Sequence, residues 1–249
     1  MPHLKQSPVV SCKKLTPLYM ESENISTSLL SSIISEDLKE IVIDASEVTL
    51  DTFLNEGVLK EIPFFGTLYK GFKTALSIRE TIFAKKIYNF LYQLREIPTE
   101  KRIEFIKKLD NDEEYQKKVG EKIMVLIEHL DDIDKSKIIG ILLKSSIEEK
   151  ISFETFLRLS AIVDRAFLPD LLKLRPGNRK KGITKLVEEQ FYMLGIMSLT
   201  LEENKRDKYI MSMASLGGNG NNTDLPPIVK YEINKLGETL IKNIFLQDK

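Results

Sequence analysis

One long apolar pattern between two prolines constrains this chain more than any other feature. Residues 61–96 are EIPFFGTLYKGFKTALSIRETIFAKKIYNFLYQLRE, with Pro63 near the start and Pro98 just beyond the end. Pro63 suits a first helical turn and Pro98 prevents continuation, so we predict one long helix over residues 64–94. The apolar residues of this helix recur at the helical spacings of three, four and seven: Phe64, Phe65, Leu68, Phe72, Leu76, Ile82, Phe83, Ile87, Phe90, Leu91 and Leu94.

The charged residues of this predicted helix do not share one face, so it is too charged for a plain membrane span and too apolar for a simple surface helix. We therefore expect neighbours on several sides, either from the same chain or from copies of it. Two interpretations stay open. The helix is the centre of a soluble bundle, or it lines a pore in an oligomer, where its lysines would face water. In the second case the candidate membrane or pore residues are Phe64, Phe65, Leu68, Phe72, Leu76 and Phe83.

The composition of the chain excludes some classes of function. The chain has 249 residues, and 37 basic side chains balance 37 acidic ones. A chain of zero net charge is not a general binder of nucleic acid or membranes, so any such activity needs a local patch. The single Cys12 and the absence of a secretory leader pattern predict a reducing cytoplasm. The sequence has no uncharged apolar run of about 18 residues, so no conventional membrane span is predicted.

The pattern along the rest of the first two thirds is helical. Residues 1–24 carry three prolines and little periodicity, which predicts a flexible arm. Residues 25–43 are apolar with interspersed serines and predict one helix or two. We expect further helices after a break and cap at residues 131–134 and after the cap at Ser152, with a kink or stop near Leu168 because Pro169 follows it. The segment 25–174 is thus predicted to be a helical oligomerisation or membrane-active domain.

Residues 175–249 have a different composition and predict a small α+β unit. We expect a helix at Ile183–Leu199, a strand at Lys208–Leu216, a returning strand at Ile228–Ile233 and a closing helix at Gly237–Phe245. A helix, a hairpin and a last helix resemble a winged-helix module. The predicted fold class is therefore mainly α, with a winged-helix-like α+β unit at the C-terminal end.

Catalytic and metal-binding patterns are weak. The acidic residues around Asp131 and Asp132 lack the spacing of a calcium loop, and His129 has no second histidine or cysteine nearby. The glycine-asparagine segment 217–222 is followed by two prolines, so no helix begins there to bind a phosphate. We therefore predict a protein that is not an enzyme and uses no metal or cofactor.

A basic run is the stronger functional signal. Six positive charges fall within thirteen residues with no acidic residue between them. On a neutral chain such a run is where a polyanion would bind, although a solvated loop between subdomains is the alternative interpretation. The candidate nucleic-acid-binding residues are Lys173, Arg175, Arg179, Lys180, Lys181 and Lys185.

Several short motifs resemble a group of bacterial phage-defence proteins. The Ile62-Pro63 opening with Gly66 is similar to abortive-infection alpha proteins. The overall layout, over roughly residues 50–249, resembles the effector family of the Hailong anti-phage system. The motifs that carry this resemblance are Glu61 to Lys70, Ser77 to Glu80, Lys85-Lys86, Phe90-Leu91, Phe156 to Leu159, Val163 to Arg165, Tyr231 to Ile233 and Leu236-Gly237.

The resemblance implies a concrete function. Members of that family are homo-oligomers, thought to be tetramers, that act as membrane ion channels. A partner nucleotidyltransferase makes single-stranded DNA oligomers that keep the effector inactive, and loss of this DNA releases it. The protein would be cytoplasmic when inactive and at the inner membrane when active. Residues 25–43 and 64–94 would supply the membrane-active surface.

A second hypothesis is a cytosolic winged-helix regulator that binds nucleic acid without membrane activity. The predicted helix at Ile183–Leu199 would then enter the DNA groove. Glu188 and Glu189 lie in the middle of that helix and oppose such binding.

Overall fold

The computed structural model describes residues 22–41, 61–71, 77–109, 113–177, 183–202 and 228–246. These ranges are mainly helical, with a small two-stranded antiparallel sheet near the C-terminus, so the predicted fold class is confirmed. The elements in chain order are α1 Ser22–Ile33, α2 Leu38–Ile41, α3 Pro63–Gly71, α4 Ile78–Tyr92, α5 Thr99–Leu109, α6 Glu113–His129, α7 Ile133–Ile147, α8 Phe153–Arg165, α9 Leu168–Lys173, α10 Lys185–Met193, β1 Met197–Glu202, β2 Ile228–Ile233 and α11 Lys235–Phe245.

The prediction of one unbroken helix over residues 64–94 is wrong, because a new helix begins at Ile78. Ser77 is extended, with φ −67° and ψ 161°. Its hydroxyl accepts from the Glu80 backbone N–H at 3.3 Å, and the Glu80 carboxylate accepts from the Ser77 N–H at 2.6 Å. This reciprocal capping box satisfies two backbone donors that an N-terminus leaves free.

Helix α4 is the centre of the core. Its consecutive residues from Lys86 to Leu91 are all buried, which at 100° per residue covers every face of the helix. Its main neighbour is α7, and the two backbones approach closely at Gly140. A Cβ there would lie 2.6 Å from the Phe90 carbonyl oxygen. The neighbours expected around this segment therefore come, for α4, from its own chain.

Helix α1 packs on α3 and on α6. The predicted apolar segment 25–43 holds most of α1 and all of α2, so it forms two helices rather than one. Gly120 of α6 permits close contact with α1, because a Cβ there would lie 2.9 Å from the Ser26 carbonyl oxygen. Helix α1 thus packs so closely on α6 that position 120 has no room for a side chain.

The helices in the middle of the chain begin where the capping residues predict. The Asp132 carboxylate accepts from the Asp134 N–H, and the Ser152 hydroxyl accepts from the Thr155 N–H, so both predicted caps are confirmed. Helix α8 ends at Arg165 and α9 begins at Leu168, so the predicted break before Pro169 is confirmed as well. α8 packs against α7 and completes the central layer.

The C-terminal elements differ in part from the prediction. The helix expected to reach Leu199 ends at Met193, because Gly195 turns the chain with φ +80°. Residues 197–202 form β1, which pairs with β2 from Met197↔Ile233 to Glu202↔Ile228. The strand and loop predicted over residues 208–222 lie outside the described ranges. Helix α11 packs on α7, and its Leu240 and Ile241 belong to the same buried core as the earlier helices. The domain boundary at residue 175 stays a prediction.

The Gly140 contact gives a first testable expectation. Gly140→Ala should lower the free energy of unfolding by about 1 to 2 kcal/mol, since overpacking against the Phe90 carbonyl outweighs the gain in helix propensity. Lys137→Ala on the same helix removes only a surface ion pair and should change it by less than about 0.5 kcal/mol. Urea denaturation measures both, and a Gly140→Ala variant as stable as the wild type would contradict the close approach.

Candidate functional site

The structure describes three of the six candidate nucleic-acid-binding residues. Lys173 ends α9, and its ammonium donates to the Asp170 carboxylate at 2.6 Å, so its charge is already paired. Arg175 is exposed, and its guanidinium lies 5.5 Å from the centre of the Phe245 ring. Lys185 is exposed at the first residue of α10. Arg179, Lys180 and Lys181 lie outside the described residues.

The described part of the basic segment therefore presents Arg175 and Lys185 to solvent on either side of residues 178–182. Lys185 stands where the helix dipole is positive, and Glu188 in the same turn is half-buried. Positive charge at a helix N-terminus attracts a phosphate more strongly than a lysine elsewhere on a surface. Arg175 and Lys185 thus supply exposed positive charge at the two described edges of the basic segment.

Four of the six candidate membrane residues lie inside the protein in this conformation. Phe64 and Phe65 have no exposed surface, Leu68 is 5% exposed and Phe83 is partly buried. The ring of Phe64 meets those of Phe65 at 5.3 Å and Phe83 at 5.9 Å, each edge to face. Phe72 and Leu76 lie outside the described residues. The described aromatic residues therefore tie α3 to α4, and a role in lipid requires their release from that contact.

Helices α1 and α3 are linked through serines of α1, whose hydroxyls at positions 28 and 32 bond within the pair. The Ser28 hydroxyl donates to the Ile25 carbonyl at 2.7 Å, and the Ser32 hydroxyl donates to the Ser28 carbonyl at 2.8 Å. Ser32 Oγ also accepts from the Phe64 N–H at 2.9 Å, at the start of α3. The two helices are thus linked to each other by a buried hydrogen bond.

Buried cations at helix ends were missed by the sequence reasoning. The Lys86 ammonium donates to the carbonyls of Glu128 and Leu130, at the end of α6. Burial lowers the pKa of Lys86 from its ordinary 10.5, and the nearby Glu128 carboxylate opposes that shift. The Lys135 ammonium donates to the Asp164 carbonyl at 2.7 Å, near the end of α8. Both lysines satisfy carbonyls that a helix C-terminus leaves without partners.

A third buried cation fixes the end of α1. Arg102 is 2% exposed and donates to the Ile33 carbonyl at 2.5 Å, the Ile97 carbonyl at 3.0 Å and the Thr99 hydroxyl at 2.9 Å. Burial also lowers the pKa of its guanidinium. The sequence signal for these residues is a basic residue within an apolar helical stretch, and that signal does not show which carbonyls the cation meets.

The described acidic residues around the end of α6 pair with basic side chains. Asp131 pairs with Lys135 at 2.6 Å, and the Lys135 hydrogen bond lowers the pKa of the Asp131 carboxyl. Glu128 pairs with Arg79 at 2.9 Å. Over the described ranges, no three His, Cys, Asp or Glu side chains are grouped so that they could hold a metal ion.

Within the part of the chain that the structure covers, every helix falls short of the length and apolarity that crossing a membrane requires. No protein-family model, curated protein or solved structure matches the chain. The family resemblance therefore stays a prediction from the motifs quoted above.

The capping role of Lys86 can be measured directly. Lys86→Met should lower the free energy of unfolding by about 2 to 3 kcal/mol, because two buried carbonyls lose their donor. Lys85→Met at the adjacent, half-buried position should cost less than about 0.5 kcal/mol. Equal stability of the two variants in chemical denaturation would show that the Lys86 contacts contribute nothing.

Proposed function

We propose that this protein is a non-enzymatic effector of phage defence that permeabilises the membrane as a homo-oligomer, with a tetramer as the expected form. A bound single-stranded DNA oligomer, made by a partner nucleotidyltransferase, holds it in the compact conformation described above. Loss of the DNA during infection releases the α1–α3 pair. The protein is then cytoplasmic while DNA is bound and acts at the inner membrane once it is released.

The observation that carries this proposal is the chemistry of α1 and α3. Residues 25–34 contain no charged side chain. The described serine hydroxyls of α1 at positions 28, 31 and 32 donate to carbonyls of the same helix. Hydroxyls that bond within their own helix take no unsatisfied donor into lipid. The buried face of α3 adds Phe64, Phe65 and Leu68 to the apolar surface that release would expose.

The lengths of these helices indicate how they would act. Helix α1 has 12 residues and α3 has 9. At about 1.5 Å per residue neither reaches across a hydrocarbon layer of about 30 Å. The helices would therefore lie in the interface or line a defect together with those of other copies. A homo-oligomer supplies the several copies that this mode of action needs.

In this proposal, DNA binding controls whether the α1–α3 pair is released. Arg175 and Lys185 are exposed cations that border the basic residues 179–181 in the sequence. Moving a two-state equilibrium from 1:99 to 99:1 takes about 5.5 kcal/mol of differential binding. Several phosphate contacts on each of several copies can supply this difference in binding free energy at moderate salt. The gating thus requires only that the compact form bind the oligomer better than the released form.

A leakage measurement tests the release of α1. Gly120→Ala places a methyl group 2.9 Å from the Ser26 carbonyl and should push α1 away from α6. We expect it to release dye severalfold faster than the wild type from vesicles of phosphatidylethanolamine and phosphatidylglycerol, in the absence of DNA. Gly140→Ala is the matched control, since its methyl group meets a carbonyl at 2.6 Å in the α4–α7 contact instead.

Thermal unfolding of both glycine variants checks whether they are folded at the assay temperature. Vesicles that stay intact with the wild type and with Gly120→Ala, at every protein concentration and without DNA, would contradict the membrane half of the proposal. Equal leakage from the two variants would mean that general destabilisation, and not α1, exposes the apolar surface.

A binding measurement tests the DNA half. Arg175→Glu combined with Lys185→Glu should weaken binding of a short single-stranded oligothymidylate by about tenfold or more. The slope of log affinity against log salt should fall by about 0.7 for each phosphate contact that the two substitutions remove. Lys101→Glu with Lys107→Glu reverses two exposed charges on α5 and should leave binding unchanged. Fluorescence anisotropy that finds no affinity of the wild type at low salt would end this half of the proposal.

The alternative function is a cytosolic nucleic-acid-binding regulator, and the order α10, β1, β2 and α11 favours it. In that case a duplex would bind more tightly than a single strand of the same sequence, and vesicles would not leak. Comparing the two DNA forms in the same anisotropy assay separates this alternative from the effector.

A further inference from the structure

The sheet of β1 and β2 has one apolar face. The register places Leu199 opposite Tyr231. It also places Leu201 opposite Val229. Residues directly opposite each other, and residues two apart along a strand, lie on the same side of a sheet. Within the described ranges this side is open to solvent, since Leu201 is 63% exposed and Leu199 and Val229 are exposed as well. Apolar side chains grouped in this way on a surface are typical of a binding site.

Two tyrosine rings form the part of this face that lies next to the buried Met197. Tyr192 of α10 packs on Tyr231 of β2, with ring centres 5.7 Å apart and planes at 53°. Tyr231 is half-buried, whereas Tyr192 is 45% exposed. The pair therefore offers aromatic surface to solvent, and the packing of one ring on the other holds that surface in place.

Helix α10 places a cation on the same side as the Tyr192 ring. Lys185 lies seven residues before Tyr192, which is two helical turns, or about 10 Å along the helix axis. Positions seven apart share one face of a helix, and both side chains are exposed. Sites for single-stranded nucleic acid combine these two elements, because cations hold the phosphates while bases stack on aromatic rings.

Two carboxylates beside the rings favour a base over a phosphate at this position. Glu188 and Glu189 are half-buried and lie between Lys185 and Tyr192 in the sequence. Burial raises the pKa of the Tyr231 hydroxyl, and the nearby Glu189 and Glu188 carboxylates add to that shift. A carboxylate repels a phosphate, but it accepts a hydrogen bond from the exocyclic amino group of a base such as cytosine.

We infer that Tyr192 and Tyr231 are the stacking surface for a base of the single-stranded DNA oligomer, with the phosphates held on the Lys185 side. This inference rests on the proposed DNA binding and adds to it the residues that contact a base. The faces of the bases are accessible in a single strand and are stacked on one another in a duplex. The tyrosine pair would therefore select a single strand, which the exposed cations alone do not.

The test separates stacking from charge in one fluorescence anisotropy assay at several salt concentrations. The probes are a short oligodeoxycytidylate and a strand of the same length that carries the sugar-phosphate backbone without bases. Tyr192→Leu should weaken binding of the oligodeoxycytidylate by about tenfold. The slope of log affinity against log salt should stay unchanged, because no phosphate contact is lost. Binding of the strand without bases should not change at all.

Two control variants complete the design, and circular dichroism checks that every variant is folded. Tyr192→Phe keeps the ring and should bind the oligodeoxycytidylate within about twofold of the wild type. Phe167→Leu removes an exposed ring before α9 and should bind as the wild type does.

The inference is overturned if Tyr192→Leu binds the oligodeoxycytidylate as tightly as the wild type, or if it loses the same factor with the strand that lacks bases. An equal loss in Phe167→Leu would also overturn it. In these cases the wild type still binds DNA, so the proposed function stands. A wild type that binds neither strand at low salt would end the DNA half of the proposed function, and this inference with it.

Discussion

Three buried cations at helix C-termini are the interaction on which the rest of this structure depends. Helices that end inside a core leave carbonyls away from water, and each such group is costly unless it gains a donor. Lys86 supplies that donor for α6, Lys135 for the end of α8 and Arg102 for α1. Since all three donors reach carbonyls of another helix, they also fix how the helices are placed relative to one another.

This arrangement divides the body into an inner and an outer part. Helices α4, α7 and α8 are held together by extensive packing, with Gly140 letting two backbones meet. Helices α1 and α3 are held to it by the close approach at Gly120, the Arg102 bond to Ile33 and the ring contacts of α3 with α4. The proposed effector function would use this division: α1 and α3 would leave together while α4, α7 and α8 stay packed.

Much of the fold could be predicted because its signals are local. Asp132, Ser152 and Pro169 mark helix boundaries through their own chemistry, whatever surrounds them. The start of α4 at Ser77 also has a local signal, a serine three residues before Glu80. The helical spacing of apolar residues continues across Ser77, however, and that spacing favours one helix. Strand β1 was missed because MSLTLE follows directly on a helical pattern, and Gly195 alone marks the change.

The sites were harder to predict because they depend on which residues meet in space. Phe64 and Phe65 have the same apolar character whether they face lipid or a neighbouring helix, and only the contacts with Phe83 and Tyr88 place them inside. Lys86 resembled a surface lysine because its partners, the carbonyls of Glu128 and Leu130, are more than forty residues away.

Hydrogen–deuterium exchange of the full chain, with and without anionic vesicles and in the absence of DNA, tests the central claim most directly. If the outer pair leaves a stable inner part, the amides of α1 and α3 change their protection when vesicles are added, while those of α4 and α7 keep theirs. Unchanged exchange in α1 and α3, or opening of α4 and α7 together with them, would contradict the account.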